Sequence, residues 1–204
     1  MIYAPDDLIQ GSPEWFLIHG SVPSASCFDK IITTKGAPSK QRDDYMLQLA
    51  GTRVFHVYEE GYTSWSMQQG IERESAAKEL YQIVTGNTLK DTGFCYYDDR
   101  FDRGCSPDSL VNDDMVLEVK STMLKTHVRY IINGVFPMDY FQQVQGELYI
   151  TGRKSAHFMS FFPGAPPFII EVQRNEQFIE MLDKELDQFN KDLNALVERL
   201  KATQ

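Results

Sequence analysis

The stretch that most constrains the fold runs from Gly104 to Ser121. It reads Gly-Cys-Ser-Pro-Asp-Ser-Leu-Val-Asn-Asp-Asp-Met-Val-Leu-Glu-Val-Lys-Ser. Asp108 stands first. A turn-rich gap follows, and then an apolar run, Met115 to Val119, that carries Glu118 and ends at Lys120. Successive side chains of a strand point to opposite faces, so Glu118 and Lys120 share one face. On the wet side of an antiparallel sheet such alternation is ordinary, and Asn112-Asp113-Asp114 is ordinary hairpin-loop sequence. In a water-poor cleft the same groups suit a different task. There the acids hold a hard divalent cation, and the lysine positions or polarises an attacking water. The combined order, Ser-Pro-Asp, a gap, and an apolar run ending Glu-x-Lys, favours the second reading.

At 204 residues, with 42% hydrophobic and 24% charged side chains, the chain is expected to bury its core as one domain spanning 1–204. Its three cysteines, Cys27, Cys95 and Cys105, include no Cys-x-x-Cys pair. Zinc sites, disulfide frameworks and four-cysteine iron–sulfur clusters are therefore not expected. Reduced thiols fit the cytoplasm. The first residues lack a basic region and an apolar core of signal-peptide length. No apolar run is long enough for a membrane span, so no membrane partner is expected. The net charge of −9 argues against a general DNA-coating role, since phosphate binding wants a basic surface. It leaves room for an enclosed site with local positive charge.

Ser12-Pro13-Glu14-Trp15 reads as a helix start, with a Ser cap, Pro in the first turn and an acid beside them; this helix ends near His19-Gly20. A second cap is expected at Ser24-Ala25-Ser26. A serine at a helix N-terminus, beside free N–H groups, is either a plain cap or a phosphate cradle. Thr34 to Arg42 is polar and loop-like, and Lys35, Lys40 and Arg42 are candidate phosphate contacts against a default of solvated loop. Helical spacing covers Asp43–Tyr58 and Thr63–Thr85. Phe94–Tyr97 and Phe101–Cys105 read as strands forming a meander with Met115–Lys120. Thr122–Ile132 is helical or irregular, with Lys125, His127 and Arg129 as cations. Pro137 to Tyr149 is a helix rich in glutamine, and two strands follow at Ala156–Phe162 and Phe168–Val172. Arg174–Lys201 is a long amphipathic helix whose apolar stripe suits packing on the sheet.

The run Pro107-Asp108 followed by Glu118-Val119-Lys120 resembles the PD-(D/E)xK nuclease signature. The wider context, Gly104-Cys105-Ser106-Pro107-Asp108-Ser109-Leu110 with Leu117 to Lys120, is similar to the phage lambda exonuclease family, also called YqaJ viral recombinases. The resemblance extends from about Glu14 to Tyr149. It implies an α/β fold with a restriction-endonuclease-like core, a central mixed sheet flanked by helices. It implies that Asp108, Glu118 and the Val119 carbonyl bind Mg²⁺, with Mn²⁺ able to substitute, and that Lys120 assists the nucleophile. Glu74, within Gly70-Ile71-Glu72-Arg73-Glu74, falls beside the metal. Gln143 or Gln145 faces the site. Trp15, His19, Ser24 and Ser26 match the family's phosphate-binding pattern, except that His19 stands where the family has Arg. Histidine is mostly neutral at pH 7 and lacks the guanidinium fork. The implied activity is 5′→3′ degradation of linear double-stranded DNA, by a homotrimeric ring that works with a single-strand annealing protein. Phage or prophage origin and a bacterial cytoplasm follow from the same resemblance.

Two other readings share these residues: a repair or restriction-type endonuclease, and a catalytically silent DNA-binding module. The Walker, zincin and nucleophile-elbow motifs of unrelated enzymes are absent.

Overall fold

The structure is a computed structural model that describes residues 2–3, 8–58 and 65–203, and for Tyr3 and residues 65–72 the backbone alone. The expected helix start at Thr63 and the side chains of Trp65 and Ile71 lie outside the described residues.

In chain order the first elements are β1 (Ile2–Tyr3), α1 (Pro13–His19), a 3₁₀ turn (Ala25–Lys30), α2 (Arg42–Phe55) and α3 (Trp65–Thr85). Five strands follow: β2 (Leu89–Lys90), β3 (Cys95–Tyr96), β4 (Gly104–Cys105), β5 (Ser109–Val111) and β6 (Met115–Ser121). After them come α4 (Leu124–Asn133), α5 (Phe141–Thr151), β7 (Ser155–Phe161), β8 (Phe168–Gln173) and α6 (Glu176–Lys201).

The central sheet has the order β2-β5-β6-β7-β8. All its pairs are antiparallel except β6 with β7. A parallel pair needs a crossover, which α4 and α5 supply. The result is an α/β fold with a mixed five-stranded sheet flanked by helices. β6 lies in the middle, which explains why Val116, Leu117 and Glu118 are all buried.

The expected meander does not form. β3 and β4 pair with β1 in a separate three-stranded sheet. The hairpin partner of β6 is β5, inside the stretch that reads as a gap. Ser109, Leu110 and Val111 are all buried, so this strand shows no alternation to betray it. Asn112 turns the hairpin at φ 44°, a left-handed conformation that Asn tolerates.

The Ser12 cap is present, accepting the Trp15 N–H at 3.2 Å. The second cap is not. Ser24 precedes the 3₁₀ turn but makes no capping bond, because its Oγ bonds His19 and Ser26 instead. The stripe of α6 also differs from expectation. Leu182, Leu186, Phe189 and Leu193 are buried with Tyr45 and Leu49 of α2 and Tyr149 of α5, rather than on the five-stranded sheet. Phe189 and Tyr45 stack at 5.8 Å. His127 is buried, and its ring nitrogens lie 2.8 Å from Ser160 Oγ and 3.0 Å from the Pro166 carbonyl.

Arg103 joins the small sheet to α6. It is fully buried, 2.9 Å from Asp102 and 3.0 Å from Asp183, and it also pairs with Asp187. It donates to the Tyr149 hydroxyl at 3.1 Å. Close packing of α5 on the 3₁₀ turn depends on Gly146, where a Cβ would fall 2.5 Å from the Phe28 ring. Among the described residues no helix is long and apolar enough to cross a membrane.

Candidate active site

The β5–β6 hairpin brings Asp108 back alongside the end of β6. There its Oδ2 accepts the Val119 N–H at 2.5 Å. Alternation along β6 puts Lys120 on the face of Glu118, with Nζ 2.5 Å from Glu118 Oε1. Helix α5 crosses this face and presents Gln143 and, one turn later, Glu147. The Gln143 amide donates to Glu118 Oε1 at 2.8 Å and to Glu147 Oε1 at 3.0 Å. Glu118 Oε2 and Glu147 Oε2 are buried and have no hydrogen-bond partner.

These groups line a cavity of about 160 Å³. Gln10, Trp15, His19, Ser26 and Ser106 complete its wall. Trp15 ties α1 to the Ser-Pro-Asp segment, since its indole N–H reaches the Gly93 carbonyl at 3.2 Å and Ser106 Oγ at 3.3 Å.

The charge balance is uneven. Burial first, and then Glu118, push the Asp108 carboxyl well above the usual carboxylate range. Burial and Glu118 do the same to Glu147. Burial disfavours a charged Lys120, but Glu118 and Asp108 outweigh it and raise its pKa. Lys120 is therefore an ammonium at neutral pH, suited to stabilising negative charge rather than to accepting a proton.

The second wall is built from α1 and the 3₁₀ turn. His19 stacks on Trp15 at 4.6 Å, and its Nε2 lies 3.0 Å from Ser24 Oγ and 3.1 Å from Ser26 Oγ. Burial first, and Lys30 second, lower the His19 pKa to about 4. His19 is thus a neutral hydrogen-bonding group here. A histidine with a lowered folded-state pKa stabilises the fold fully above its unfolded value near 6.5 and loses that contribution as pH falls toward about 4. Thermal melts between pH 7 and pH 4 are expected to show a steeper loss for the wild type than for His19→Gln. Equal slopes would show that His19 is not held neutral.

Glu74 has its carboxylate 2.7 Å from Lys78, which also meets Asp91 at 3.0 Å. It lines a larger, more open hollow of about 610 Å³ and not the small cavity, yet its charge is felt at Asp108. Gln145 is not brought to the cluster. Its side chain bonds the Gln173 carbonyl at 2.9 Å and the Asn175 N–H at 2.8 Å, fastening α5 to the junction of β8 and α6. Arg42 is also engaged elsewhere, 3.0 Å from Glu185 and over the Phe189 ring. Lys35 and Lys40 are exposed on the segment before α2 and line neither hollow.

Glu147 belongs to no motif of the sequence. Its signal was its position four residues after Gln143, on one helical face and among apolar neighbours. Among the described residues no three acid, His or Cys side chains converge as they stand on a point where a cation could sit. The Asp108 bond to Val119 and the grip of Gln143 on both glutamates account for that. The unpartnered oxygens nevertheless fit a hard cation such as Mg²⁺ or Mn²⁺, which takes carboxylate and carbonyl ligands.

Residues 14–154 match the model of the YqaJ-like viral recombinase domain. No curated protein matches the sequence significantly. Among solved structures, the alkaline exonuclease LHK-Exo from Laribacter hongkongensis is 28% identical, with a TM-score of 0.85 over 94% of this chain and 97% of that one. LHK-Exo in complex with dAMP superposes with a TM-score of 0.84 at the same identity and coverage. A phage related exonuclease from Haemophilus somnus 129PT, 15% identical, shares the fold, with a TM-score of 0.68 over 91% of this chain and 99% of that one. With most of its length matched by the family's model, this chain belongs to the YqaJ-like viral recombinase family.

Proposed function

We propose that this protein is a Mg²⁺-dependent exonuclease that degrades linear double-stranded DNA in the 5′→3′ direction. It leaves 3′ single strands for recombination by annealing. The observation that carries this reading is the meeting of Asp108, Glu118 and Lys120 in one cleft beside the His19–Ser26 recess. The exonuclease activity named for the 28%-identical LHK-Exo, and its complex with dAMP, support it.

Asp108, Glu118 and the Val119 carbonyl would hold the cation. Bound there, Mg²⁺ would supply Lewis-acid activation of water and charge neutralisation at the scissile phosphate. Lys120, as an ammonium, faces the charge that builds on the phosphate. Gln143 holds the Glu118 carboxylate in place, and Glu74 acts on Asp108 through its charge. The recess of Trp15, His19, Ser24 and Ser26 would receive a terminal phosphate by neutral hydrogen bonding. In this reading the chain is a single nuclease domain that assembles as a homotrimeric ring around DNA and hands its product to an annealing protein. The setting is a phage-infected or prophage-bearing bacterial cytoplasm.

The test uses linear duplex, 5′-phosphorylated and labelled at either end, with Mg²⁺ and a closed circle as control. Early release of the 5′ label and an intact circle are expected. Cutting of the circle would replace this reading with an endonuclease. DNA binding without cleavage, in Mg²⁺ and in Mn²⁺, would leave a binding module.

A further inference from the structure

We propose that Glu147 is itself a cation ligand, and that it and Glu118 hold a divalent cation between their free Oε2 atoms. This position lies beside the one assigned to Asp108, Glu118 and Val119. It rests on that assignment only through Glu118, which the two positions share.

Glu147 and Glu118 are 1% and 2% exposed. Carboxylates that deep almost always have their oxygens paired. Here only half of them do. The Gln143 amide has two N–H groups and spends one on each Oε1. The Lys120 ammonium also lies on the Oε1 side of Glu118. Every donor that reaches the two glutamates thus serves an Oε1 atom, both Oε2 atoms are buried with no donor, and the two carboxyl groups lie against each other. Both glutamates line the same cavity.

Asp108, Glu118 and Glu147 line one cavity of about 160 Å³, and Lys120 is the one cationic side chain that lines it among the described residues. Three acids crowded into so small a space draw in positive charge, a proton when no metal is bound and a divalent cation when one is. Gln143 then has a defined role: by gripping both Oε1 atoms it turns both Oε2 atoms toward one ligand.

The probe is manganese chloride added to the full-length protein freed of metal by chelation. Free Mn²⁺ is read by its electron paramagnetic resonance signal, independently of any DNA cleavage. The wild type is expected to bind two Mn²⁺ per chain. Glu147→Gln keeps the size and removes the charge, and is expected to weaken one of the two by about tenfold or more. Glu147→Asp, which keeps the charge, is expected to retain both and covers the case in which the glutamine variant does not fold. Near-ultraviolet circular dichroism checks that each variant is native. Unchanged number and affinity of Mn²⁺ in folded Glu147→Gln would overturn the proposal, as would a wild type that binds one Mn²⁺ lost only in Asp108→Asn. The latter result would leave the proposed nuclease function standing. Loss of Mn²⁺ in Glu147→Gln with none in Asp108→Asn would support Glu147 and defeat the Asp108 assignment.

Discussion

A Lys120→Ala variant is expected to cleave linear duplex DNA about a hundred- to a thousandfold more slowly than the wild type, while still binding DNA. The cause is electrostatic. Lys120 is the only cationic side chain lining the cavity among the described residues, and it shares that cavity with three carboxyl groups. Its Nζ lies 2.5 Å from Glu118. Without it the cleft repels the charge that builds on a phosphate under attack. Arginine is not expected to restore the rate, because a planar fork cannot replace a compact ammonium in this space. Single-turnover cleavage at saturating enzyme separates this effect from DNA affinity. A rate within a few-fold of the wild type, with the fold intact, would remove Lys120 from the mechanism.

Arg103→Ala is expected to cost about 3–5 kcal/mol of stability, as breaking a buried charge cluster usually does. The value should fall toward the low end, because Asp183 and Asp187 are nearly half exposed and can rehydrate. What cannot be recovered is the filled volume and the bond to Tyr149. Arg103 contacts the small sheet, α5 and α6 at once, lying 5.9 Å from the Tyr97 ring and 3.1 Å from the Tyr149 hydroxyl. For a chain of this size, 3 kcal/mol corresponds to a fall in Tm of about 6–12 °C. Arg103→Met keeps more of the volume and is expected to lose less. Urea unfolding of both variants gives the comparison. A loss below about 1 kcal/mol for alanine would mean that the clamp is dispensable. Cleavage per folded molecule should stay within a few-fold, since Arg103 does not line the cleft.

Both residues show how far local sequence reaches. Glu118 and Lys120 could be placed on one face of a strand because alternation is a property of the strand itself. The Ser12 cap and the apolar stripe of α6 were legible for the same reason. Arg103 carried no such signal. An arginine between an aspartate and a glycine is usually solvated, and its partners Asp183 and Asp187 lie far along the chain.

The glutamines make the division plain. Gln143 and Gln145 are two residues apart, so they point to nearly opposite sides of α5. Which side meets β6 depends on how the helix crosses the sheet. Gly146 against Phe28 helps to set that crossing, and it leaves Gln145 to fasten α5 to the junction of β8 and α6. The same crossing brings Glu147 to the cleft. Arg42 read as a loop cation until α6 came alongside with Glu185. β5 read as part of a gap until β6 folded back on it.

Within the amino-acid sequence alone, then, lay the elements with a period of their own, the family resemblance, and the pair Glu118 and Lys120. The tertiary structure decided which helix faces met, which charges were spent on packing, and how many carboxylates share the cleft. Periodicity and capping act within a few residues of one another. Burial and pairing act between segments whose separation along the chain carries no local trace.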